Sequence, residues 1–64
     1  MTDERKQEFT LRITQANATG LTVILYEMLL TYIDEAKEAC SAGRPDELKA
    51  AVRAARRCLE ELMN

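Results

Sequence analysis

The chain has 64 residues, with nine Lys and Arg against eleven Asp and Glu, and a net charge of −2 at pH 7. This balance excludes the basic footprint of a nucleic-acid binder, and the absence of His leaves two cysteines, too few for a zinc site. A single core of this size supplies only about 3–5 kcal/mol of stability unless a disulfide, a metal or oligomerisation adds to it.

Residues 1–16 are expected to form an N-terminal arm. The charged residues near the start have no apolar run behind them, so a signal peptide is not expected. Further along, Phe9, Leu11 and Ile13 alternate with polar residues. This period of two predicts an extended segment that lays three side chains onto a helical surface. A continuous N-terminal helix is the alternative.

Two helices are predicted after the arm, over residues 17–41 and 45–63. Asn17 is a good N-cap for the first helix, because its side chain can accept a hydrogen bond from the first turn. Gly43 and Pro45 end that helix, and Pro45 also suits the first position of the next one. The short turn between them predicts an antiparallel helical hairpin in an all-α fold.

The long helix carries apolar residues on two of its sides. One stripe at helical spacing consists of Leu21, Leu25, Met28, Tyr32, Ala36 and Ala39. A second stripe consists of Val23, Tyr26, Leu30 and Ile33. Together they cover an arc of roughly 260° and leave a polar edge formed by Glu27, Thr31, Asp34 and Glu38. One neighbouring helix cannot cover both stripes, so a further partner is expected.

The second helix has a single apolar stripe and can cover only one side of the long helix. Its members are Leu48, Ala51, Val52, Ala55, Leu59 and Leu62. The natural partner of the second helix is the first stripe of the long helix, because that stripe extends along the full length of the long helix. The second stripe, Val23, Tyr26, Leu30 and Ile33, is therefore the predicted partner-binding surface. A homodimer that covers it would complete a four-helix bundle.

No pattern in the sequence points to catalysis, a cofactor or a metal. The chain has no His, no glycine-rich phosphate loop and no Ser or Cys in a recognisable nucleophile elbow. Cys40 and Cys58 fall too far apart along the predicted hairpin for a disulfide bond. Both are expected to be reduced core thiols of a cytoplasmic protein.

Binding to nucleic acid and insertion into a membrane are not expected. Arg56 and Arg57 lie four residues before Glu60 and Glu61, the spacing of ordinary ion pairs on a helix surface, and no aromatic residues lie between them. The apolar run of the long helix is interrupted by Glu27, so it is shorter than the roughly 18–20 residues that span a bilayer.

The segment from Ile13 to Glu27 combines a capped helix start with a Leu-Tyr pair. Its ungapped pattern consists of Ile13, Ala16, Asn17, Leu21, Leu25, Tyr26 and Glu27. This pattern resembles the V-x-T-A-S-P-x-x-L-I-x-M-L-Y-[DN] stretch of the flagellar export chaperones called FliS. Later positions that fit the same family are Ala36, Gly43, Ala55, Glu61 and Leu62.

The resemblance implies a cytoplasmic helical protein that binds the C-terminal segment of flagellin before export and performs no chemistry. Ala18 stands where the family usually has Pro, and the family's N-terminal tyrosine motif is missing. Members of the family are about twice this length, so the chain is either a fragment or one of two copies that make a bundle. A structural homo-oligomer without a client is the alternative function.

Overall fold

The computed structural model describes all residues, 1–64, as three helices joined by short turns. The helices are α1 (Asp3–Gln15), α2 (Ala18–Ser41) and α3 (Pro45–Met63), and there is no strand. The predicted all-α class is confirmed. None of the three helices has the length and apolar content needed to cross a bilayer.

The prediction of an extended segment at Phe9–Ile13 is wrong, because these residues lie within α1. The side chain of Thr2 caps the helix by accepting a hydrogen bond from the backbone N–H of Arg5 at 3.3 Å. A lone extended arm has no strand to pair with and leaves its backbone donors and acceptors to water, whereas a helix pairs them internally. In the helix Phe9 is buried, but Leu11 points away from the rest of the chain.

The start and the end of α2 follow the capping residues. The side-chain oxygen of Asn17 accepts a hydrogen bond from the N–H of Gly20 at 2.8 Å, as expected of an N-cap. At the other end Gly43 adopts a positive φ of 68°, which costs little in a residue without Cβ. The N–H of Arg44 then donates to the carbonyl of Ala39 at 2.9 Å, which closes the last turn.

Pro45 occupies the first turn of α3, which is the position where a missing N–H does no harm. The helix then runs back along α2, and Cys58 of α3 lies beside Tyr32 of α2. Helix α1 also packs on α2 but makes no contact with α3. Helix α2 is therefore the central element of the fold, with one neighbour on each of two sides.

The core is small and is spread along α2. Its buried residues are Phe9, Ile24, Leu29, Ala39, Ala51 and Cys58. Ile24 and Leu29 belong to neither of the two stripes that helical spacing suggests. Ile24 lies one turn before Glu27, which pairs with α1 through Arg12, so the α1 side of α2 also carries a buried residue.

Candidate helix-binding surface

The four residues of the second stripe are all exposed. Val23, Tyr26, Leu30 and Ile33 lie on one side of α2, and their exposed fractions range from 37 to 61%. Neighbouring apolar positions differ sharply, since Leu29 is buried immediately before Leu30. Neither α1 nor α3 covers this side of α2, so the chain by itself leaves the stripe open to solvent.

The covered side of α2 faces a groove between α1 and α3. One end of this groove is lined by Met1 and Lys6 from the α1 region, Glu35 and Glu38 from α2, and Ala50 and Ala54 from α3. A neighbouring cavity of about 710 Å³ lies between α2 and α3 alone and is lined by Met28 and Tyr32 on the α2 side. Because Tyr26 and Leu30 lie roughly 140–180° around the helix from Met28 and Glu35, they face away from the groove.

Three residues of α3 extend the open side of the molecule. Val52, Leu59 and Met63 are 44–85% exposed, and helical periodicity puts them opposite Ala50 and Ala54. Since Ala50 and Ala54 line the groove, these three residues lie on the same side of the hairpin as Tyr26, Leu30 and Ile33. We call the combined surface the open face. It consists of Val23, Tyr26, Leu30, Ile33, Val52, Leu59 and Met63.

The contribution of α3 to the open face was missed in the sequence. Val52 and Leu59 have the spacing of the stripe that packs against α2, and the expectation that they are covered is wrong. The stripe of α3 is wider than its contact with α2. Ala51 and Cys58 fill the contact, and Val52 and Leu59 lie along its outer margin. The spacing of residues 52, 59 and 63 along one side of the helix is the only trace of this surface in the sequence.

Two ion pairs connect α2 with the N-terminal part of the chain. The guanidinium of Arg12 lies 2.5 Å from the carboxylate of Glu27, and the α-amino group of Met1 pairs with Glu35. The hydrogen bond from Arg12 holds the pKa of Glu27 below its ordinary value. The same bond raises the pKa of Arg12. Helix α1 therefore lies beside Glu27 of the predicted polar edge, whereas Asp34 and Glu38 of that edge are exposed.

The two cysteines have different surroundings. Cys58 is buried beside Tyr32, and burial raises the pKa of its thiol. The phenol pKa of Tyr32 is also raised, first by burial and then by the charge that Cys58 would carry. Cys40 is exposed, so its assignment to the core is wrong. Both are free thiols.

The basic residues of α3 do not form the predicted ion pairs. Arg56 and Arg57 lie further than 4.0 Å from Glu60 and Glu61, since the ion pairs of the chain are Met1–Glu35, Arg12–Glu27 and Arg44–Glu47. The four long side chains extend into solvent instead, where an exposed pair gains little. No group of three or more His, Cys, Asp or Glu is placed to hold a metal ion.

The open face is thus an exposed apolar surface. Comparisons with family models, with curated proteins and with solved structures find no match to this chain. The resemblance to FliS therefore rests on the sequence pattern alone, that is, on the segment from Ile13 to Glu27 and the later positions that fit the family.

Proposed function

We propose that this chain is a protein-binding module of the FliS type, which holds the C-terminal segment of flagellin in the cytoplasm before export. The observation that carries the proposal is the joint exposure of Val23, Tyr26, Leu30 and Ile33 on one side of α2. The stripe extends over about three helical turns, the length of a docked amphipathic segment. The activity is binding alone, without a catalytic group, a cofactor or a metal.

The binding energy would come from apolar surface that the free chain leaves in water. Each square ångström of such surface contributes about 25 cal/mol when it is buried. Tyr26 and Leu30 are the most exposed members of the stripe and lie near its middle. Tyrosine is enriched at the energetic centres of interfaces, because it buries a large ring at a low cost in conformational entropy. We therefore assign the centre of the client site to these two residues.

Titration of a labelled flagellin C-terminal peptide tests this function. We expect Leu30→Asp to weaken binding by about 100-fold or more, because the interface would bury an unpaired carboxylate. The matched control is Leu11→Asp, since Leu11 is 57% exposed but lies on α1, away from the open face. Equal affinity of the parent and Leu30→Asp would refute the assignment.

A structural homodimer is the second candidate, and the width of the open face favours it. The surface includes Val52, Leu59 and Met63 of α3 in addition to the stripe on α2. Two hairpins that join through these faces would make a four-helix bundle, in which each core is completed by the other copy. A bundle that stays closed in the presence of every flagellin peptide would favour this function over a chaperone.

A further inference from the structure

The accessible surface of the chain is larger than that expected of a compact folded monomer of the same mass. Its accessible surface is 5041 Å². The usual scaling of surface with mass gives about 4,200 Å² for a compact monomer of 7.3 kDa. The excess, roughly 850 Å², matches the area that one partner loses in a protein interface of standard size, about 800 Å².

The shape of the chain indicates where this excess lies. Its principal extents are 38 × 26 × 13 Å, so it is a flattened slab, half as thick as it is wide. Stable domains pair at least two layers around a core. One broad side of the slab is the open face, which is two helices wide and carries seven exposed apolar residues.

We infer that a second copy of this chain covers the open face until the flagellin segment displaces it, so that the homodimer and the client complex exclude each other. This inference rests on the proposed function. A single docked helix covers the stripe on α2 but leaves Val52, Leu59 and Met63 of α3 in water. A second hairpin covers both helices at once, through the same residues on each copy.

The homodimer and the client complex exclude each other because both use the stripe on α2. Tyr26, Leu30 and Ile33 lie at the centre of the open face, between Val23 on its outer edge and the exposed residues of α3. A second copy cannot reach α3 face to face without covering these three side chains. The client needs the same side chains, so one occupant must leave before the other binds. The dimer would thus protect apolar surface that a free chain exposes.

The two helices of the open face can be separated by mutation. Leu59→Asp changes only the α3 part of the face, at a side chain that is already 45% exposed in the chain. This variant should lose dimerisation by about 100-fold or more and should bind the peptide more tightly than the parent, because no partner copy has to be displaced. Leu30→Asp should lose both activities, and Leu11→Asp should lose neither.

Sedimentation equilibrium with and without the flagellin peptide provides the measurement. We expect a species of twice 7.3 kDa for the parent without peptide, and a complex of one chain with one peptide when the peptide is saturating. The apparent affinity of the parent for the peptide should fall as the chain concentration rises, whereas that of Leu59→Asp should stay constant. Far-UV circular dichroism checks that each variant is helical, and Val52→Lys replaces Leu59→Asp if the latter does not fold.

Three outcomes would overturn the inference, and they differ in what they mean for the proposed function. A dimer that keeps both copies when it binds the peptide refutes exclusion but leaves the client site intact. A parent chain that binds the peptide and is monomeric at every concentration refutes the second copy as occupant. Absence of peptide binding in both the parent and Leu59→Asp refutes the proposed function and this inference together.

Discussion

The guanidinium of Arg12 lies 2.5 Å from the carboxylate of Glu27, and this ion pair fastens α1 to the middle of α2. Arg12 also lies 5.7 Å from the centre of the Phe9 ring, and Arg5 lies at 5.8 Å from the same ring. One arginine therefore connects the buried anchor of α1 with the polar edge of α2. Because the backbone of α1 lies against α2 and not against α3, α1 is held by its interactions with α2, which include these and the Met1–Glu35 pair.

We expect the docking of α1 to weaken in acid. The hydrogen bond from Arg12 holds the pKa of Glu27 below its ordinary value of 4.5. Because the folded-state pKa is the lower one, the pair contributes fully above pH 4.5, and its contribution is lost as the pH falls through the folded-state pKa. The NMR signals of the Phe9 ring should shift in this acid range. In Glu27→Gln the same signals should not titrate, and an unchanged titration there would assign the effect to another carboxylate.

Phe9→Ala should release α1 from α2 while the hairpin of α2 and α3 stays helical. Phe9 is the only buried residue of α1, and truncation of a buried Phe costs about 3–5 kcal/mol. Amide hydrogen exchange should become fast from Asp3 to Gln15 and change little in α3. Leu11→Ala is the control, because Leu11 is exposed and its truncation should alter stability by no more than about 0.5 kcal/mol. If exchange stays slow throughout α1 in Phe9→Ala, the ion pairs are sufficient to hold α1 on α2 without the Phe9 side chain.

Alkylation of the native chain should modify one cysteine quickly and the other slowly. Cys40 is exposed, whereas Cys58 is buried and its thiol pKa is raised, which reduces the thiolate that reacts. Mass spectrometry should therefore find one modification in the native state and two after unfolding in denaturant. Cys40→Ser should be almost inert until it is unfolded. Equal rates for Cys40 and Cys58 would contradict the burial of Cys58.

The sequence predicts the elements of this fold better than it predicts their surroundings. Asn17, Gly43 and Pro45 mark the ends of helices through local backbone chemistry, and the structure has α2 and α3 between them. Helix α1 was only the alternative prediction, because the alternation of Phe9 and Ile13 with polar residues fits either a strand or a helix face. The capping hydrogen bond of Thr2 decides in favour of a helix.

Of the open face, the sequence predicts the residues on α2 but not those on α3. The stripe of Val23, Tyr26, Leu30 and Ile33 follows from counting apolar residues around one helix, and all four are exposed. Which residues of α3 join it depends on how α3 is rotated against α2, and the periodicity of α3 alone does not specify that rotation. The same limitation applies to Ile24, whose burial depends on the position of α1.

Leu29 and Leu30 are neighbours whose truncation should change the stability of the monomer by very different amounts. Leu29 is buried, and Leu29→Ala should lower the free energy of unfolding by about 2–5 kcal/mol because it leaves a cavity. Leu30 is 61% exposed, and Leu30→Ala removes the same atoms from solvent, with a change of no more than about 0.5 kcal/mol. Urea unfolding followed by circular dichroism measures both.

The comparison has to be made where the chain is monomeric, since a partner copy would add to the apparent stability of the parent. This condition is met when the unfolding midpoint no longer depends on chain concentration. At higher concentration the midpoint of the parent should rise, while that of Leu30→Ala should rise less because its share of the open face is smaller. A large loss of monomer stability in Leu30→Ala would mean that Leu30 packs within its own chain, and the surface assigned to the client would then have to be sought elsewhere on the molecule.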